Sequence, residues 1–65
     1  MMKSQLDMRI CDCEAKATNT ETYRAFIVNG LRFLYGNNTR IPNLDEMCEE
    51  EINELIDDID YLLEK

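Results

Sequence analysis

The sequence predicts a small α+β domain, in which an antiparallel β-β-β sheet is covered on one face by a C-terminal amphipathic acidic helix. Residues 6–11 alternate apolar and polar side chains, residues 23–35 contain an Asn-Gly turn between two apolar runs, and residues 44–65 repeat apolar side chains at helical spacing. A chain of 65 residues buries only about 60% of its unfolded surface. Residues 1–65 are therefore expected to form a single small domain.

The N-terminal part of the chain is predicted to be one strand followed by a loop. Residues 6–11 (Leu-Asp-Met-Arg-Ile-Cys) alternate as side chains do in a strand with one buried face. Residues 14–21 are rich in Ala, Thr, Asn and charged side chains without an apolar repeat, which is typical of a loop.

Residues 23–35 are compatible with two structures. As a hairpin, the segment would turn at Asn29-Gly30 in a type I′ turn and pair Phe26 with Phe33. As a helix, it would end at Gly36 and its apolar residues would share one side: Tyr23, Phe26, Ile27, Leu31 and Leu34. The hairpin is favoured because Tyr, Phe, Ile and Val prefer strands and an interior glycine costs a helix about 1 kcal/mol. The alternative fold is mainly α, a helical hairpin after a short N-terminal strand.

Residues 44–65 are predicted to form one amphipathic helix. Asn43 can act as its N-cap, Glu46 would complete a capping box, and Pro42 ends the preceding loop. The apolar residues form a stripe about 120° wide, as in a helix packed on a core. They are Leu44, Cys48, Ile52, Leu55, Ile56, Ile59, Leu62 and Leu63.

One face of the predicted sheet would remain uncovered. It would carry Tyr23, Ala25, Ile27 and Leu34, an apolar patch of the kind that marks an interface. Two copies of the chain could associate through this face, so a homodimer is one expected state.

The net charge of −7 is concentrated in the second part of the chain. Residues 1–42 carry six bases and four acids, a balance of +2, whereas residues 43–65 carry ten acids and one base, a balance of −9. Lys and Arg contacts to phosphate dominate binding to nucleic acids, and basic segments dominate binding to anionic membranes, so direct binding to either is not expected. A basic protein is the natural partner.

The outer face of the predicted helix is acidic. Like charges recur every four residues from Glu46 to Asp58, each pair costing about 0.2–0.5 kcal/mol, and no Glu–Lys pair relieves them. Carboxylates at this interval are about 6 Å apart along the axis, close to the spacing of phosphates along a nucleic-acid strand. A face that is unfavourable for stability suggests a function. The residues expected to bind the partner are Glu46, Met47, Glu50, Glu54, Asp57, Asp58 and Tyr61, the last as an aromatic anchor.

Catalytic and metal-binding chemistry is not expected. The chain has no histidine to act as a base beside Cys11, Cys13 or Cys48, and it contains no phosphate-binding or calcium-binding loop. Three thiols without histidine are too few for a closed zinc site, and an odd number is unlike a secreted disulfide scaffold. No segment has the length of a membrane helix or the core of a signal peptide. We expect a cytoplasmic, non-enzymatic protein without cofactor or metal.

In size, charge and lack of catalytic residues, the chain resembles the broad class of phage and mobile-element inhibitors, including anti-CRISPR proteins and DNA mimics. The resemblance is one of type, is carried by no motif and transfers no site residue. It implies an inhibitor that presents its acidic helix to the basic groove of a nucleic-acid-binding protein or nuclease complex. Such binding should weaken steeply as salt rises.

Two other functions are compatible with the sequence. A regulatory or assembly subunit, antitoxin-like or anti-sigma-like, would bind a dedicated partner through apolar residues such as Ile27 and Leu34 and would tolerate high salt. A redox or metal module would use Cys11, Cys13 and Cys48.

Overall fold

The computed structural model describes residues 2–64 and is mainly helical. Helix accounts for 60% of the residues and extended backbone for 3%, and the described part contains no sheet. The predicted α+β fold with a β-β-β sheet is therefore wrong. Among the described residues, no helix combines the length and the apolar character needed to cross a membrane. The helices are α1 (Ile10–Cys13), α2 (Tyr23–Tyr35) and α3 (Glu49–Leu63), with short 3₁₀ helices at Lys3–Gln5 and Leu44–Glu46.

Residues 6–11, predicted as a strand, form a turn and the start of α1. Their side chains do alternate, but within residues 2–64 no strand lies beside them. Their backbone instead meets the segment that leads into α2: the N–H of Ile10 donates to the carbonyl of Glu21 at 2.9 Å, and an isolated antiparallel bridge joins Arg9 to Thr22. The strand prediction is wrong because the hydrogen-bond partner of this segment is a helix start.

Residues 23–35 form α2 and not the predicted hairpin. Thr22 is the N-cap, and its Oγ1 atom accepts a hydrogen bond from the N–H of Ala25 at 3.1 Å. The N–H of Arg24 donates to the carbonyl of Leu6 at 2.9 Å. The first N–H groups of a helix have no partner within it, so the N-terminal segment caps α2 from outside.

Both glycines have roles that differ from the predicted hairpin turn. Gly30 lies inside α2, where a Cβ atom would be 2.5 Å from Cγ2 of Ile59. The absence of a side chain therefore lets α3 approach closely. Gly36 follows α2 with φ +100° and ψ 161°, a conformation open mainly to glycine. It ends the helix at the position that the helical interpretation predicts.

The C-terminal helix is present but begins later than predicted. Cys48 is the N-cap of α3. The carboxylate of Glu51 folds back onto it, accepting from the Cys48 N–H at 3.5 Å and from the thiol at 3.2 Å. The capping box thus has the predicted form, an acid three residues after the cap, but it lies five residues further along the chain.

Asn43 caps the short 3₁₀ helix, and not α3. Its Oδ1 atom accepts from the N–H of Asp45 at 3.1 Å. The backbone is then extended at Met47, with φ −83° and ψ 147°, which separates the 3₁₀ helix from α3. The prediction of one continuous helix from residue 44 is wrong in its first turn, and its predicted end at Lys65 lies outside the described residues.

α2 and α3 pack against each other. Gly30 faces Ile59, and further along both helices Phe33 and Leu63 border the same depression. Residues 36–48 connect α2 to α3. The mainly α class of the alternative fold agrees with the structure, whereas the short N-terminal strand that it included is absent from residues 2–64.

The core lies where α2, α3 and the N-terminal segment meet. Ile27 and Ile52 are 0% exposed and Ile59 is 1% exposed, so the two long helices supply its centre. The other buried apolar residues are Leu6, Ile10, Tyr23, Leu31 and Leu44.

The predicted uncovered apolar patch does not exist. Tyr23 and Ile27 are buried, Ala25 is half-buried, and Leu34 packs against the core. A homodimer formed through this patch therefore has no basis in the structure.

Candidate protein-interaction surface

The outward side of α3 carries a continuous acidic surface. At 3.6 residues per turn, Glu50, Glu54, Asp57 and Asp58 fall within about 100° of one another, opposite the buried side of the helix. All four side chains are exposed. We call these four residues the acidic arc.

Five of the seven predicted partner-binding residues lie together on α3. Tyr61 is 59% exposed and falls within the acidic arc, between Glu50 and Glu54 around the helix. Glu46 is exposed but belongs to the preceding 3₁₀ helix, and Met47 is half-buried against the core. The structure therefore separates Glu46 and Met47 from the surface that they were predicted to share.

The ion pairs of residues 2–64 lie away from the acidic arc. Arg24 donates through Nε to Asp7 and through Nη2 to Asp45, both at 2.8 Å. The hydrogen bond from Arg24 lowers the pKa of Asp45. This guanidinium connects the N-terminal segment, α2 and the 3₁₀ helix before α3, so it has a structural role.

Apart from Asp60, the acids of α3 divide into two groups. Glu49 and Glu51 make hydrogen bonds near the start of the helix, Glu49 accepting from the N–H of Lys3 at 2.8 Å. The helix dipole also favours acids there. Within the described chain, the ion pairs use Asp7 and Asp45, and none reaches the acidic arc. Among the described residues, the four acids of the arc therefore have no basic side chain as an ion-pair partner.

A separate polar contact holds the segment after α1 on α2. The hydroxyl of the buried Tyr23 donates to Oε1 of Glu14 at 3.0 Å. Burial, together with this hydrogen bond and the charge of Glu14, raises the pKa of Tyr23 to about 12. The hydroxyl stays protonated at neutral pH and serves as a structural donor.

Two surface depressions meet beside α2. One has a volume of about 320 Å³ and the other of about 370 Å³, and both are lined by Asn19 and Phe26. The first also contacts Ile10, Tyr23 and Ile56, and the second Gly30, Phe33 and Leu63. We call the two together the Phe26 groove.

The charged residues around the Phe26 groove are mainly acidic. Glu14, Lys16 and Asp60 line its first part, and Glu21 lines its second. Glu21 also accepts a hydrogen bond from Nδ2 of Asn29 at 2.7 Å. Three carboxylates against one ammonium give the lining a net negative charge.

The most exposed aromatic side chain in the groove is Phe33, which was not among the predicted site residues. It is 80% exposed although it lies inside a helix. The hairpin interpretation placed it beneath the C-terminal helix. The spacing that could have identified Phe33 is visible in the helical interpretation: Phe26 and Phe33 are seven residues apart and therefore lie on one side of α2.

The three cysteines Cys11, Cys13 and Cys48 have free thiols. In the part of the chain that the structure describes, no three His, Cys, Asp or Glu side chains are grouped as a metal site requires.

Comparisons with known proteins identify no relative of this chain. No family model matches it, and neither a curated protein nor a solved structure is significantly similar to it.

Proposed function

We propose that the chain is a non-enzymatic inhibitor that binds a basic protein through the acidic arc and Tyr61 and thereby covers a surface that the partner uses for nucleic acid. The observation that carries the proposal is the charge of the arc, for which the described residues provide no ion-pair partner. Its carboxylates are exposed and repel one another, and the ion pairs of the described residues use other acids. Lys and Arg of a partner would supply the missing counter-charges.

The spacing of the arc supports a nucleic-acid-binding partner. Glu50, Glu54 and Asp58 follow one another at about 6 Å along the helix axis, which a groove lined with Lys and Arg would meet as it meets a row of phosphates. Tyr61, three residues beyond Asp58, adds an aromatic contact at the C-terminal end of the row. The proposal places the chain in the cytoplasm, since three free thiols suit a reducing compartment.

The test is capture followed by competition. The full chain is immobilised, proteins retained from a cell extract are identified, and the complex with each purified protein is titrated with salt and with duplex DNA or RNA. We expect the chain to retain Lys- and Arg-rich nucleic-acid-binding proteins. Competing nucleic acid and high salt should release them. The triple variant Glu50→Lys, Glu54→Lys, Asp58→Lys should lose them, whereas Asp12→Lys, which reverses an exposed acid on α1, should retain them. Undiminished capture by the triple variant would overturn the proposal.

A second function, regulatory subunit of a dedicated partner, is favoured by one observation, the exposed Phe33 in an apolar depression. The apolar residues first expected to serve it, Ile27 and Leu34, are buried and packed against the core. This function predicts a complex that remains bound at high salt. The salt titration therefore also distinguishes the regulatory subunit from the inhibitor.

A further inference from the structure

We propose that the Phe26 groove is a docking site for a basic amphipathic helix of the partner, whose apolar side chains enter the groove and whose Lys and Arg residues meet its acidic rim. This inference rests on the proposed function and adds to it a second, apolar contact. It identifies the partner by its chemistry: apolar residues about two helical turns apart, flanked by bases.

The length of the groove fits such a segment. Phe26 and Phe33 are seven residues apart on one side of α2, which places them about 10 Å apart along the helix axis. An amphipathic helix presents apolar side chains at the same interval. Two aromatic rings at this distance can therefore hold two anchors of one partner helix.

The composition of the second depression points to an apolar ligand. Its volume is about 370 Å³, and Gly30, Phe33 and Leu63 are among the residues that line it. Phe33 is 80% exposed and Leu63 is 38% exposed. Covering an exposed aromatic ring of this kind commonly supplies a dominant share of binding energy.

The charge of the rim selects a basic occupant over a second copy of this chain. Glu14, Glu21 and Asp60 line the groove against Lys16 alone. Asp60 lies on α3 beside the acidic arc, so a partner that fills the groove can also reach the arc. A second copy would bring a net charge of −7 against the same acids, which repulsion disfavours.

The test uses a fluorescein-labelled synthetic helix of Leu and Lys, with Leu on one face, and the full chain. Binding is followed by fluorescence anisotropy, and a peptide with the same residues scrambled serves as a control. We expect the amphipathic peptide to bind at least about tenfold more tightly than the scrambled one. Phe33→Ser and Leu63→Ser should each weaken it by at least about tenfold, as truncation of an interface anchor does.

Tyr35→Ser is the matched control variant, because Tyr35 is an exposed aromatic residue at 63% on the same helix and lies outside the groove lining. It should bind like the unchanged chain. Equal binding of the scrambled peptide, or unchanged binding by both groove variants, would overturn the docking site. Circular dichroism checks that each variant is folded, and amide NMR shifts centred on Gly30 and Phe33 are the expected independent result.

The outcomes distinguish this inference from the proposed function. If the triple arc variant no longer binds the peptide while the groove variants still bind it, the docking site in the groove is refuted and the acidic arc remains the binding surface. If the groove variants no longer bind the peptide while the arc variant still binds it, the docking site stands, and the capture experiment alone decides on the arc. Self-association of the chain that Phe33→Ser abolishes, without peptide binding, would replace the basic partner with a second copy and overturn the inference.

Discussion

Gly30 on α2 faces Ile59 on α3 so closely that a Cβ atom on Gly30 would lie 2.5 Å from Cγ2 of Ile59. Ile59 is 1% exposed and Gly30 is also buried. The two long helices therefore meet at a position where one contributes a β-branched side chain and the other contributes none. This contact makes a glycine in the middle of a helix favourable.

The first prediction concerns this contact. Gly30→Ala should destabilise the fold by about 1–3 kcal/mol, because overpacking outweighs the gain of about 1 kcal/mol in helix propensity. Ile59→Leu removes the Cγ2 branch at nearly constant volume, so the double variant should be more stable than the sum of the single effects predicts. Urea unfolding of all four proteins gives the coupling energy. Strict additivity would show that the two atoms do not meet.

The second prediction concerns the end of α2. Gly36 has φ +100° and ψ 161°, so Gly36→Ala should cost about 1–3 kcal/mol. No neighbouring atom would meet the new methyl group, so the cost comes from the backbone alone. Asn37→Ala, in the adjacent exposed turn, should change stability by no more than about 0.5 kcal/mol. Equal midpoints of thermal unfolding for the two variants would contradict the assigned backbone conformation.

The third prediction is alkaline destabilisation through Tyr23. Its pKa in the folded chain is about 12, above the unfolded value of about 10. The contribution of Tyr23 to stability is thus complete below pH 10 and falls as pH rises from 10 to 12. Tyr23→Phe should remove this part of the pH dependence, whereas Tyr35→Phe, at an exposed position, should leave it in place.

Denaturant unfolding between pH 9 and pH 12, with absorbance of the tyrosinate, measures this effect. Tyr23 should ionise in a late step near pH 12, and only Tyr23→Phe should abolish that step. A late step that survives in Tyr23→Phe would assign it to another residue.

The fourth prediction concerns Arg24 and Asp45. The hydrogen bond and charge of Arg24 lower the pKa of Asp45, so Arg24→Gln should raise it toward its ordinary value. The lowered pKa contributes stability that is present above the unfolded pKa and is lost as pH falls, so acid should destabilise the unchanged chain more than the variant. Carbon-detected NMR titration of the carboxyl measures the change. Arg32→Gln, on the exposed side of α2, should leave the pKa of Asp45 unchanged.

The fifth prediction separates stability from binding on the acidic arc. Glu54→Lys turns the repulsions with Glu50 and Asp58 into attractions, so it should stabilise the fold by about 1–2 kcal/mol at low salt. The same substitution should weaken the binding of the basic partner. Thermal unfolding at low and high salt tests the first part, since screening should reduce the gain. A loss of stability at low salt would show that the arc carboxylates have favourable contacts in the folded chain.

The sequence by itself determined the features that depend on local spacing. The apolar period of α3 and the concentration of acids after residue 42 predict an amphipathic helix with an acidic outer face, and α3 from Glu49 to Leu63 has both. These features follow from the chain alone because residues three and four apart share a side of any helix. The exact start was beyond such reasoning, since Asn43 and Cys48 each offer a cap with an acid three residues later.

Tertiary structure decided the rest of the fold and half of the candidate surface. For residues 23–35 the propensities of a hairpin and a helix nearly balance, and the close approach of Ile59 to Gly30 favours the helix. The backbone of residues 6–11, whose side chains alternate as in a strand, forms hydrogen bonds with the residues around the start of α2. No local sequence pattern reveals this pairing. Phe33 becomes an exposed groove residue only once α2 is a helix beside α3. In each case the deciding contact joins residues far apart in sequence, so its energy does not appear in any short segment.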